Sequence, residues 1–193
     1  MILLEKNMDT TDNQLILESI RGKDSSFAEL INRHLSGVYK FAYSYVRDTA
    51  DAEDIAQETF VRAWKNLGKF DTSKNLRTWL FTIAKNASLD MLKKKRPLAF
   101  SKITETESEL ESFLAPYIAS GELPEANVDQ KLLRGDIDEA LAKLPPAYRA
   151  VLALRYNDHL KFREIAETLG EPIDTVKSKH RRGLALLKNI WFS

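Results

Sequence analysis

A chain of 193 residues, 44% hydrophobic and 30% charged, suits one ordinary domain or two small ones and reads as a soluble globular protein, not a disordered or fibrous one. Cysteine is absent and the three histidines are scattered, which excludes disulfides, a thiolate nucleophile and a convincing metal site. The net charge of +1 conceals blocks of alternating sign: Asp48–Glu58 carries five acids and no base, while Lys65–Arg96 carries nine bases against two acids. Leu98–Asp129 has seven acids against one base, and Pro172–Ser193 five bases against one acid. Such segregation suggests separate faces for separate partners, the basic ones suited to nucleic acid. A single block of this kind would fit a solvated face equally well.

The opening stretch MILLEKNMDTTDNQ is too short in apolar residues for a signal peptide or a membrane span, so the cytoplasm is the expected location. From Asp24, an expected N-cap, the stretch to Val46 places Phe27, Leu30, Ile31, His34, Val38, Phe41 and Tyr45 at helical spacing. His34 lies in that apolar stripe and is expected to be a hydrogen-bonded core or boundary residue. A second helix, TADAEDIAQETFVRAWKNLGKF, turns Ile55, Phe60, Ala63, Trp64 and Leu67 inward and ends at Gly68. The polar loop GKFDTSKN leads into a third helix, LRTWLFTIAKNASLDMLKKKR, stopped by Pro97. Trp79 shares a face with Ile83 and Ala87, which favours core packing over base stacking for it and for Phe81.

Periodicity fades from Leu98 to about Gly135, where Pro116, Gly121 and Pro124 interrupt a stretch rich in acids, Ser and Thr. A linker this long is functional or disordered, with a weak helical stretch expected around Leu110 to Tyr117. Helical pattern resumes at DIDEALAKLPPAYRAVLALRY, punctuated at Leu144–Pro145–Pro146, and continues to Trp191. Nothing alternates with period two. The fold class is therefore all-α: two small helical domains, 12–97 and 136–193, joined by a flexible acidic linker, 98–135.

The stretch Phe162–Asn189 has the marks of a helix-turn-helix. Ala166 is a small residue at the approach of two helices and Gly170 makes the turn, with Ile165, Leu169 and Val176 as contacts between them. Pro172 suits the start of the second helix. Thr175, Lys177, Ser178, Lys179, Arg181 and Arg182 crowd its early and middle turns, the part that enters a major groove. Many helical hairpins share this pattern, so the motif alone leaves a solvated face open.

LPPAYRAVLALRYNDHLKFREIAETLGEPIDTVKSKHRRGLALLK closely resembles the C-terminal promoter-binding domain of the extracytoplasmic-function (ECF) sigma factors of bacterial RNA polymerase. DAEDIAQETFVRAW followed by FDTSKNLRTWLFTIAKNASLDML resembles their N-terminal domain. The resemblance implies a sigma factor that binds core RNA polymerase and directs promoter-specific initiation, with no cofactor, metal, small-molecule substrate or catalytic site.

By this resemblance Asp51, Asp54, Gln57, Glu58 and Val61 dock on the clamp helices of the polymerase's largest subunit. The loop Gly68–Asn75 forms a pocket for an unstacked base of the −10 element, and Asn86 contacts a base. Lys69, Lys74, Asn75, Arg77, Lys85, Lys93, Lys94, Lys95 and Arg96 complete that DNA surface, the cations on phosphates. The acidic linker corresponds to the connector that runs through polymerase channels. Thr175, Lys177, Ser178, Lys179, Arg181 and Arg182 face the −35 element, and the same domain contacts the polymerase flap. His180, at a position usually apolar, and Leu184, where many members carry a cation, depart from the pattern. An anti-sigma factor, often membrane-bound in this family, is implied as a further partner. Two alternatives are a sigma-like module that sequesters an anti-sigma factor and an autonomous helix-turn-helix regulator. The first has no need of the Lys93–Arg96 cluster, and the second leaves the Asp51–Val61 patch without a purpose.

Overall fold

The computed structural model describes residues 11–95 and 140–192, and among them every regular element is helical. The acidic linker, with the helical stretch expected near Leu110, and Arg96 lie outside the described residues. The N-terminal half comprises α1 (Asp12–Ile20), α2 (Asp24–Val46), α3 (Thr49–Asn66), a 3-10 turn (Leu67–Lys69) and α4 (Leu76–Lys95). Helices α2, α3 and α4 pack on one another, and α1 lies against α2.

Local chemistry sets the boundaries. Thr11 and Gln14 form a reciprocal capping box that starts α1: Gln14 N–H donates to Thr11 Oγ1 at 3.3 Å and Thr11 N–H to Gln14 Oε1 at 2.8 Å. The N-cap of α2 is Lys23, not Asp24, and no side chain caps it, Asp24 instead placing its acid in the first turn. Between α2 and α3 the chain reverses through Arg47 at φ 54°, with its guanidinium over the Tyr43 ring at 4.7 Å. Asp48 then caps α3 by accepting from Asp51 N–H at 2.9 Å. Gly68 does not stop α3 by itself; the helix tightens one residue earlier into the 3-10 turn.

The C-terminal half begins with a helical turn at 140–142, then α5 (Pro146–Leu152), a π-helical turn (Ala153–Asn157), α6 (Phe162–Leu169) and α7 (Ile173–Phe192). Pro146 stands in the first turn of α5, where its missing N–H costs nothing. Gly170 caps α6 at φ 66°, and Glu171 N–H donates back to Ala166 O at 3.0 Å, the reversal that turns the chain into α7. Gly183 lets α7 lie close on α5, since a Cβ there would stand 3.3 Å from Leu152 Cδ1. Arg149 on α5 is buried with Nη1 donating to Ala142 O at 3.2 Å; burial first, and Arg47 second, bring its pKa down to about 10.

The two halves are not merely tethered. A single apolar cluster runs from Ile16, Leu30, Phe41 and Phe81 in the first half to Val151, Leu154, Ile165 and Val176 in the second. Helix α4 packs against α6, and α2 against α5 and the π-helical turn. His34 is a boundary residue as its stripe suggests, with Nε2 2.7 Å from Asp12 Oδ2. Phe81 is buried, and Trp79 is half-buried with its ring 4.8 Å from that of Phe70. Trp64 departs from the expectation of burial: it rests 4.7 Å from Phe27 yet is 43% exposed, because the bundle ends beneath it.

Candidate polymerase and nucleic-acid interfaces

Helix α3 turns Asp54, Gln57, Glu58 and Val61 to solvent along one face, as their i, i+3, i+4, i+7 spacing requires. Together with Asp90, Met91 and Lys94 of α4 they line an open groove of about 460 Å³. Its floor is apolar where Val61 is 49% exposed beside Met91, and its rim is acidic. Glu58 is held upright by Arg62, whose Nε donates to it at 2.7 Å. Asp51 stands apart from this group. It is buried at the start of α3, and its carboxylate bonds the Lys95 ammonium, which is thereby held above its ordinary pKa. Asp51 and Lys95, assigned to polymerase and DNA respectively, thus share one ion pair.

The loop before α4 is built by side chains hydrogen-bonding to backbone. Asp71 Oδ1 accepts from Ser73 N–H at 3.0 Å and Ser73 Oγ at 2.7 Å, bonds that keep its pKa low, the hydroxyl first. Asn75 Oδ1 caps α4 by accepting from the N–H groups of Arg77 (2.9 Å) and Thr78 (3.4 Å). Asn13 on α1 reaches across to donate to Thr72 O at 3.2 Å. Asn13 and Asp71 therefore shape the expected base pocket, yet neither carries a sequence signal beyond the loop composition. Lys69, Lys74, Asn86, Lys93 and Lys94 are exposed around this surface.

Three residues of the same surface meet the C-terminal half. Asn75 Nδ2 donates to Glu164 Oε1 at 3.0 Å, and Arg77 Nη2 to Asp158 Oδ1 at 3.1 Å. Lys85 Nζ donates to the Leu169 carbonyl, and burial lowers its pKa, partly countered by Glu171. Asp158 is buried; its pKa is raised by that burial against the opposing pull of Arg77, and its Oδ2 has no hydrogen-bond partner.

On α7, Thr175, Lys177 and Arg181 are exposed, with Ser178 and Arg182 half-buried. Lys177 lies 3.6 Å from Asp174, a loose surface pair. Lys179 folds back onto Glu171 at 3.0 Å, its side chain 14% exposed, so its charge is largely spent inside the motif. His180 fills its unusual place by polar packing: Nε2 is 3.1 Å from Tyr156 Oη and the ring stacks on Tyr156 and meets Phe162 edge-on. Burial, and then Arg155, lowers its pKa. Leu184 is half-buried, so the missing cation leaves no large exposed apolar side chain there.

A helical bundle with an acidic docking groove and a basic third helix, followed by a helix-turn-helix, is the architecture of a two-region sigma factor. The Sigma-70 region 2 model matches residues 30–97, and the Sigma-70 region 4 model residues 134–187. The chain is 34% identical over 168 residues to the ECF RNA polymerase sigma factor SigW of Bacillus subtilis, covering 87% of this chain and 90% of that one. The fold is similar to that of CnrH of Cupriavidus metallidurans, solved with the cytosolic domain of CnrY (TM-score 0.66, 24% identity, 94% of this chain and 97% of that one). It is also similar to the sigma factor RpoE of Bartonella quintana, solved with the anti-sigma factor NepR (TM-score 0.59, 24% identity, 86% and 96%). The chain belongs to the ECF RNA polymerase sigma factors. It is a transcription initiation factor whose two regions bind core RNA polymerase and promoter DNA. Among the described residues no helix is long and apolar enough to cross a membrane.

Proposed function

We propose that residues 12–97 dock on the polymerase and read the −10 element, that 136–193 read the −35 element, and that 98–135 connect them. Asp54, Gln57, Glu58 and Val61 meet the clamp helices, with Asp51 acting behind them by holding Lys95 and the end of α4. The loop Gly68–Asn75 receives a flipped base, and Asn86 pairs with a base edge through an amide that both donates and accepts. Lys69, Lys74, Arg77, Lys85, Lys93, Lys94 and Arg96 supply phosphate contacts. Thr175, Lys177, Ser178, Arg181 and Arg182 read or clamp the −35 duplex, Lys179 chiefly bracing the turn. The protein works in the cytoplasm, has no catalytic site of its own, and is restrained by an anti-sigma factor of the kind bound by its structural relatives.

The observation that carries this reading is the pairing, in one chain, of the open acidic groove between α3 and α4 with an outward cationic face on α7. A sequestering module has use for the first without the second. Run-off transcription with core polymerase on a promoter library tests it. Transcripts that begin downstream of a shared two-part sequence are expected. Tight binding to an anti-sigma factor with no transcript from any core enzyme would favour the sequestering module instead.

A further inference from the structure

The face of α4 assigned to the −10 element is already engaged. Asn75, Arg77 and Lys85 donate to Glu164, to Asp158 and to the Leu169 carbonyl at the end of α6. These partners resemble what a DNA strand offers: two carboxylates, and a carbonyl at the negative end of a helix dipole. A guanidinium or ammonium bound there cannot at the same time hold a phosphate. Behind the polar contacts α4 packs on α6, and Leu160, Ile165 and Leu169 join the apolar cluster of the first half. Gly37 on α2 permits the approach, since a Cβ there would stand 2.9 Å from Asp158 Oδ1.

We propose that the −10-reading face doubles as an intramolecular docking surface for α6 and the Asp158 turn, so that the free protein closes on itself and must open to read DNA. This rests on the −10 assignment made above. The closed form is built to yield. Asp158 is buried with one oxygen unpartnered, a cost that the single bond from Arg77 offsets only in part. While closed, the chain binds promoter DNA with an affinity reduced by the fraction of molecules that are open.

The full chain lacks cysteine, so Lys65→Cys and Lys188→Cys, both at exposed positions, admit a pair of spin labels. Electron–electron resonance on the free protein is expected to give one short, narrow distance. Gly37→Ala should lengthen and broaden it by wedging Asp158 away, while alanine in the interior of α2 favours the helix and leaves the melting temperature undiminished. Asp158→Asn, which weakens the Arg77 bond without changing shape, should act in the same direction. Both variants should raise the affinity of the free chain for labelled single-stranded DNA of mixed sequence, by roughly tenfold if about a tenth of the wild type is open. A broad, long distance in the free wild type, or variants that change neither distance nor DNA affinity, would overturn the proposal. A short distance in a wild type that yields no run-off transcript would support the docking and refute the promoter-reading assignment.

Discussion

The two DNA-facing surfaces of this sigma factor are opposite in state. On α7, Lys177 and Arg181 project into solvent, tied to nothing stronger than a 3.6 Å surface pair with Asp174. On α4 and the loop before it, Asn75, Arg77 and Lys85 are each bonded to the C-terminal half. A cation facing water is ready to exchange counterions for phosphates; one already bonded must first give up a partner. The contrast implies an order of events, with duplex contact through α7 available at once and strand reading through α4 conditional on opening.

The largest effect that would break this comparison comes from α7. Arg181→Ala should cost roughly 1–3 kcal/mol of −35 duplex binding if its contact is to a base, with the fold preserved because exposed charges contribute little to stability. Footprinting and run-off transcription on templates with and without a −35 element read the effect. Equal activity on both templates would show that α7 does not read DNA. Asn86→Ala should relax preference at one −10 position by a similar or smaller amount, visible as a flattened base profile in open complexes on a library. Intact preferences would leave the reading to the Gly68–Asn75 loop alone.

A smaller effect sharpens the comparison. Lys93→Ala with Lys94→Ala should weaken open complexes on all promoters alike and flatten the salt dependence by about 0.7–0.9 for each phosphate left without its cation. Base preference should be unchanged. The smallest effect concerns His180. Its folded pKa lies below the ordinary histidine value because burial disfavours the charged ring. The unfolded chain therefore binds the proton more readily, and stability should decline as pH falls through about 6.5 towards the lower folded value. His180→Leu should remove that decline. A pH-independent melting temperature in the wild type over this window would contradict it.

Much of the fold is legible in the sequence because the signals are local. The 3.6-residue stripe of α2, the capping sequence of α3, and Ala166 with Gly170 in the helix-turn-helix each act over one or two turns. Helix α1 is not, although Thr11 and Gln14 spell a capping box, because nine residues with Leu15, Ile16 and Ser19 inward give too short a period to stand out. Trp64 misleads because periodicity gives a face and not the extent of the neighbour that covers it. The contacts between the halves have no local signature at all. Arg77 and Asp158 lie 81 residues apart, and each alone reads as an ordinary surface charge. The groove is half visible: the acids of α3 declare themselves, but nothing in the sequence says that Met91 and Lys94 of α4 form its other wall.

The π-helical turn at Ala153–Asn157 bears on how such a protein can change over time. There Asp158 N–H donates to Ala153 O at 3.4 Å, five residues back instead of four, so the turn holds one residue more than an α-helix would. Each helical residue turns the chain by about 100°. Loss of any one residue from this turn would let the helix close into regular register and swing everything after it by about that angle. Asp158 would leave Arg77, and the helix-turn-helix would meet the first half in a new orientation, with every DNA-contacting side chain unaltered. A single-codon deletion could thus re-time the opening of the molecule without touching what it reads.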